Sequence, residues 1–401
     1  MDVRPGVTWH LTGARLVALV VAALAVGSLL RQVAGTFVDL DVYRWGGGVL
    51  LAHDGALYSV SDVRWHLSFT YPPVAALLFA PLHALPFGLL AHAMVAVSLA
   101  ALARTTWLLV RAGGRGDPVV VSALVLAVAT FAQPVTATLW LGQVDLLLVW
   151  LVVEDLLGAW PRRWQGVLAG LAAAVKLTPL AIVVFLAASG GRRTAGRALA
   201  TMAVSVVVPA LLRPRDVWDF WTSAVWQPRR AGPVYSWLNQ SVVAVVSRLS
   251  HHAAGRGVWE LIAVVVLLAG LAVAARLHRR GDTLLALGVA VTTMLLASPI
   301  SWDHHWVWAL VPGVTAWAVD TRGSRWVVAG LLVVTLTGMI RWPFLAHRNE
   351  LHWGIWQQLV GNSYVWWGLA FLCWAGWRAS RPPLPRPSEA PAVAVGEVTV
   401  G

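Results

Sequence analysis

Long apolar runs alternate with short basic or polar segments along most of the chain. Leu11–Leu30 is the first run, with Arg4 and Arg15 at its N-terminal end. It carries no convincing cleavage site and reads as a retained helix. Its basic flank puts the N-terminus in the cytoplasm. The stretch 38–73 that follows is polar, partly acidic and rich in aromatics, and reads as an outer loop opened by Asp39 and Asp41 and closed by Tyr71-Pro72-Pro73. Val74–Val110 is apolar again, broken at Pro81 and Pro86. That pattern predicts one crossing behind a short re-entrant or interfacial piece, ending at the basic segment Arg111–Asp117. Residues 119–133 lead out and 146–157 return, around a tight turn at Leu139–Gln143, to the basic Trp160–Trp164.

Gly166–Ala188 is the decisive run, because Arg192, Arg193 and Arg197 follow it. A full crossing there would put those arginines outside and invert every later basic loop. A hairpin of two short helices, broken at Lys176-Leu177-Thr178-Pro179, keeps both basic loops inside. Pro179 disfavours a helical Thr178 and removes a backbone donor. Irregular backbone at membrane depth needs protein or a watery cavity around it. The hairpin is therefore the reading adopted. Further runs follow at 199–212, 261–275, 284–296, 307–319, 326–340 and 364–377, with a long outer loop at 213–256. The chain is thus expected to be all-α: a polytopic integral membrane protein with about 10–12 transmembrane or re-entrant helices over residues 1–380. A disordered, Pro-rich cytoplasmic tail is expected over 381–401.

Composition sharpens this reading. Of 401 residues, 58% are hydrophobic and 12% charged, with a mean hydropathy of +0.70, more apolar surface than a soluble protein can bury. The net charge of +12 is what basic cytoplasmic loops supply, and nucleic acid is not an expected partner. The single cysteine, Cys373, lies in an apolar run, so neither a disulfide framework nor a cysteine metal site is available. The 25 tryptophans suit interfacial belts first and sugar-stacking platforms second.

With this alternation the loops carrying Asp39, Tyr71, Gln143, Asn239 and His304 all face one side, the outer one. Polar residues gathered on one side of a membrane protein suggest one site there. Asp39 or Asp41 could accept a proton from a sugar hydroxyl; the bland reading is a charge at a helix N-terminus or a partner for Arg44. His304 and His305, after a Ser-Pro break, could donate to a sugar or face a phosphate; the bland reading is an interfacial turn. Two adjacent histidines do not share a helical face, and no second cluster completes a metal site. Lys176, mid-run, costs about 2.5–3.5 kcal/mol at depth and needs a partner, for which a phosphate would serve; snorkelling is the alternative. Asn239-Gln240-Ser241 is a hydrogen-bonding set that could equally start a helix. Leu141-Gly142-Gln143 could be a plain turn.

Taken in order, these segments resemble a known family. VDLDVY and GGGVLL, then FTYPPVAALLFAPLHALPFG, LGQVDLLL, GLAAAVKLTPL, NQS and SPISWDHHWVW are similar to the actinobacterial polyprenyl-phosphate-mannose-dependent α-1,2-mannosyltransferases. These belong to glycosyltransferase family 87, with the GT-C fold. The resemblance runs from about Phe37 to Trp308. It implies an extracytoplasmic site in the plasma membrane, a polyprenyl-phosphate mannose donor entering from the bilayer, and a mannosylated lipid or glycan acceptor. It implies no cofactor and no nucleotide sugar. The family's general base falls on Asp39, with Asp41 second. Tyr43, Arg44, Tyr71, Gln143, Lys176, Asn239, Gln240, His304 and His305 become the expected substrate-binding residues, with no metal. Asp303 stands where relatives commonly carry Thr, which could alter the charge on the acceptor side. Transferases using another polyprenyl-phosphate sugar, such as arabinose, and lipid-sugar flippases remain as alternatives.

Overall fold

Every regular element among the described residues is helical, and the only β-structure is two isolated bridges, Ser61–Ser68 and Asn239–Trp302. The structure is a computed structural model that describes residues 12–32, 35–52, 54–251 and 255–381. The expected tail, beyond Arg381, lies outside the described residues, as do residues 1–11.

The first apolar run forms α1 (Gly13–Gln32). The stretch read as a loop opens with a helix instead, α2 (Val38–Ala52). Three consecutive glycines weaken α2 as an isolated helix, which is why the sequence hides it. Packing stabilises it: a Cβ on Gly47 would stand 2.8 Å from the backbone of Ala80, so only glycine allows this approach. The Pro-interrupted segment is α3 (Pro73–Phe79) with a 3-10 turn, and the long helix expected to cross is α4 (Phe87–Gly113). α5 (Pro118–Ala129) and α6 (Gln133–Leu141) meet at a 69° bend. Beyond α6, Gly142 and Gln143 lead to α7 (Asp145–Leu157).

α8 (Val167–Val175) and α9 (Leu180–Ala188) are the two legs of a hairpin with Lys176–Pro179 at its tip. Both legs come back to the first turns of α10 (Arg192–Leu212). Gly170 of α8 lies against the backbone of Ala198, and Val183 of α9 packs with Ala195 and Ala198. Asp155 fixes the first leg: it is buried, and one carboxylate oxygen accepts from the backbone N–H groups of Gly166 (2.8 Å) and Ala169 (3.1 Å). Those are donors left without a partner at a helix start.

The long stretch read from sequence as an outer loop contains α11 (Pro214–Thr222) and α12 (Val242–Leu249) before α13 (Arg256–Arg279). α14 (Thr283–Ala297) is buried at every position from Leu285 to Leu296, as a helix apolar all round should be. After a 3-10 turn at Asp303–Ala309 come α15 (Leu310–Val319) and α16 (Arg322–Leu336). The short α17 (Trp342–Ala346) and α18 (Ile355–Gly361) precede α19 (Ser363–Ser380). Trp306 and Trp308 of that turn and Tyr364 and Phe371 of α19 belong to the main core.

Among the described residues four helices, α1, α4, α10 and α13, are long and apolar enough to cross a membrane singly, and two bent pairs raise the number to six. The other apolar helices are shorter. The bundle is thus assembled from jointed pieces rather than from one helix of about 20 residues per span.

Candidate active site

α2 carries the first wall of the site. Its start is tied down by Phe37, whose N–H donates to the carbonyl of Trp140 (3.0 Å). Gly142, with φ +70°, lies against Leu40; a Cβ there would stand 2.7 Å from that of Leu40. This close approach brings Gln143 next to α2. At 100° per residue, Asp39 and Tyr43 share a face of α2, whereas Asp39 and Asp41 point about 200° apart. Asp39 and Tyr43 line a cavity of about 290 Å³. Asp41 is turned away, paired with Arg64 (3.4 Å) and accepting from the Trp65 indole (3.1 Å). Arg44 is not among the lining residues, and the partner of Asp41 is Arg64, not Arg44.

Tyr71 and Gln143 complete this wall. The Tyr43 hydroxyl donates to Gln143 Oε1 (2.6 Å), and the Tyr71 hydroxyl reaches the same oxygen (3.1 Å). The two phenol oxygens are 2.8 Å apart. Tyr58 donates its hydroxyl to the carbonyl of Tyr71 (2.7 Å), which holds that backbone in place.

The hairpin tip and the 3-10 turn supply the second wall. Lys176 Nζ donates to both carboxylate oxygens of Asp145 at 2.9 Å and lies 3.0 Å from His305 Nε2. The partner that a buried lysine requires is thus a protein carboxylate, where the sequence suggested a phosphate. His304 stands with its ring 4.6 Å from that of His305 and perpendicular to it. Its Nδ1 lies 3.4 Å from Asp303 Oδ1. Its Nε2 is buried with no hydrogen-bond partner. Asp303 accepts from Gln133, which in turn accepts from the Tyr364 hydroxyl (2.6 Å). Asp303 therefore orients His304 from behind and does not line the cavity.

Asp39 is half-buried, and its exposed part faces the cavity. Its helix, α2, is not among those long and apolar enough to cross a membrane. Burial raises its carboxyl above the usual range, while the charges of His304 and Lys176 and a hydrogen bond from Gln143 pull it back down. Such a group can take up a proton more readily than a surface aspartate.

Asn239 and Gln240 line no part of the cavity. Asn239 donates to the carbonyls of Val234 (2.9 Å) and Pro299 (3.0 Å) and accepts from Ser301 N–H (2.8 Å). Gln240 donates its amide to the carbonyls of Trp237 (2.8 Å) and Gly361 (2.7 Å). Together they brace the segment 299–302 that leads into the histidines. Ser241 caps α12 through Ala244 N–H (3.1 Å), so the helix-start reading of this triplet holds as well.

One carboxylate, a paired lysine and two imidazoles facing a single cavity suit transfer of a group from an anionic leaving group. The sequence model of glycosyltransferase family 87 matches residues 69–299, more than half of the chain. The chain belongs to glycosyltransferase family 87. It is similar to a polyprenol-phosphate-mannose-dependent α-(1-2)-phosphatidylinositol mannoside mannosyltransferase of Mycobacterium tuberculosis, with 31% identity covering 84% of each chain. A polyprenol-phosphate-mannose-dependent α-(1-2)-phosphatidylinositol pentamannoside mannosyltransferase of Mycolicibacterium smegmatis is 35% identical over 88% of this chain and 86% of its own. No solved structure matches.

This family 87 glycosyltransferase thus places six of the residues expected from sequence, apart from Asp39, around one cavity: Tyr43, Tyr71, Gln143, Lys176, His304 and His305. Sequence reading missed Asp145 and Arg230. Asp145 stood in the quoted LGQVDLLL segment as a lone acid opening an apolar helix, and the unpaired Lys176 called for it. Arg230 lines the cavity from a 3-10 turn at Pro228–Ala231. Its signal was a basic pair in a loop read as outer, against the usual bias. Asp145, His304 and His305 offer ligand atoms within 4.8 Å of one another. Lys176 Nζ already contacts two of the three, so a divalent cation there would have to displace the ammonium group.

Proposed function

We propose that this glycosyltransferase moves mannose from polyprenyl-phosphate mannose to a mannosylated phosphatidylinositol or related glycan on the extracytoplasmic face. The linkage formed is α-1,2, with inversion at the anomeric carbon. The reading rests on the names of relatives that match over most of the chain and on one observation: Asp39 shares a cavity with Lys176, His304 and His305. The acceptor hydroxyl attacks C1 of the mannose, its proton passes to Asp39, and the C1–O bond to phosphate breaks with its electron pair going to the phosphate. An activated phosphodiester needs one base and an in-line acceptor, not the two carboxylates of a hydrolase. His304 Nε2 is buried and unpartnered; with Nδ1 facing Asp303, it donates to the phosphate or sugar when the imidazole is protonated at both nitrogens and accepts from a sugar hydroxyl when neutral. Tyr43, Tyr71 and Gln143 form a fixed hydrogen-bonded wall that orients the sugar.

An apolar groove of about 250 Å³ suits the prenyl chain. Trp306 and Val307 line it, next in sequence to the histidines that line the cavity, with Val128 and Ala129 of α5 opposite. The test is transfer by purified protein in detergent, with polyprenyl-phosphate mannose and a mannosylated lipid, beside Asp39→Asn. Transfer by the wild type and none by a well-folded Asp39→Asn is expected. Transfer from an arabinosyl donor alone would overturn the donor assignment, and wild-type turnover by Asp39→Asn would overturn the base.

A further inference from the structure

We propose that Arg230 binds the phosphate of the lipid donor, an inference that rests on the proposed function. The charges facing the cavity lead there. Asp39 brings a carboxylate, and Lys176 is engaged by both oxygens of Asp145. Asp145, which is off the cavity lining, cancels the charge of that ammonium, and the imidazoles of His304 and His305 carry charge only when protonated, so the Asp39 carboxylate is left to oppose entry of a phosphodiester anion. Arg230 is the remaining fixed cation on the lining. Among the described residues no carboxylate forms an ion pair with it.

Its guanidinium is held in place but not used up. Nη2 donates to the carbonyl of Tyr58 (2.8 Å), and the group lies 5.9 Å from the centroid of the Tyr58 ring. Nε is buried with no partner. Tyr58 is fixed in turn through its hydroxyl on the Tyr71 carbonyl, so Arg230 is coupled to the wall that carries Tyr43 and Gln143. A planar, permanently charged fork with a spare donor matches a phosphate better than a lysine would. As the C1–O bond breaks, the phosphodiester monoanion becomes a monoester and gains a second charge. A preset cation stabilises that state more than the ground state. The donor's phosphate, not the acceptor's, is assigned because the cavity is small. It has room for a sugar and its own phosphate, whereas mannoses already present would hold an acceptor's lipid phosphate at a distance.

The test does not require turnover. Binding of farnesyl phosphate and of uncharged farnesol is measured on the purified full-length protein, its Arg230→Gln variant and its Arg230→Lys variant. Wild type should favour farnesyl phosphate. Arg230→Gln should lose about 10- to 100-fold of that affinity with farnesol unchanged, and Arg230→Lys should keep part of it. Equal binding of farnesyl phosphate by wild type and Arg230→Gln, or no preference over farnesol in the wild type, would overturn the assignment. These outcomes hold whether or not mannose is transferred, so they are separable from failure of the proposed function. With a neutral alkyl mannoside as acceptor, the transfer defect of Arg230→Gln should persist. A defect seen only with a phosphatidylinositol mannoside would move Arg230 to the acceptor and refute the donor assignment.

Discussion

Replacing Lys176 alone confounds two effects that the structure allows to be separated. Its side chain is 12% exposed and that of Asp145 1%, and the ammonium contacts both carboxylate oxygens at 2.9 Å. In Lys176→Met the carboxylate of Asp145 stays buried without its cation. Breaking a buried pair from one side costs about 3–5 kcal/mol, whereas replacing both partners with apolar groups of similar size is often neutral or stabilising. Lys176→Met and Asp145→Leu should therefore each lower thermal stability in detergent, and the double variant should recover most of the loss. Coupling of about 0.5–3 kcal/mol or more is expected for groups in direct contact. Transfer should not recover with stability, because the double variant lacks the charge at the hairpin tip. Unfolding of the four proteins, followed by fluorescence, is run beside mannosyl transfer. Single variants as stable as wild type would show that water reaches the pair and refute the burial argument. A double variant that regains both stability and transfer would remove Lys176 from the chemistry.

Three further outcomes follow from the geometry. The base must be ionised to act, so transfer should fall as pH drops through the raised pKa of Asp39. The acidic limb of the rate profile should lie above the ordinary value of about 3.9 and move higher still in His304→Gln, since the His304 charge pulls that pKa down; a limb at the ordinary value would refute this. Ala129→Trp should obstruct the apolar groove and raise KM for a long-chain donor while sparing a short-chain one; equal effects on both would refute the prenyl assignment. Arg248, buried in α12, donates to the carbonyls of Tyr235 (3.0 Å), Ser236 (2.6 Å) and Asn239 (3.1 Å) and to the Asn362 side chain. Arg248→Met should leave these acceptors unsatisfied and destabilise the fold by several times the ~1–3 kcal/mol cost of one buried group, seen as a large drop in melting temperature; an unchanged melting temperature would refute it.

The sequence by itself determined the class of the protein and the outline of its chemistry. Apolar runs and proline breaks are local properties, and the energetics of burying a run or interrupting a helix follow from residues close in the chain. That is why the proline break before α4 and the hairpin tip at Lys176 could be read directly. The order of short motifs supplied the family and most of the cavity. Tertiary structure decided matters that depend on facing. Asp39 and Asp41 are indistinguishable until α2 is known to be a helix with one face on the cavity, and its three glycines conceal that helix from any propensity argument. Asn239 and Gln240 have side chains fit for a sugar, but packing spends them on the carbonyls of Pro299 and Gly361. Asp145 and Lys176 are 31 positions apart, and Arg230 meets Tyr58 across 172. Such pairings arise only when separate helices pack, because what selects them is the cost of leaving a buried charge or donor alone.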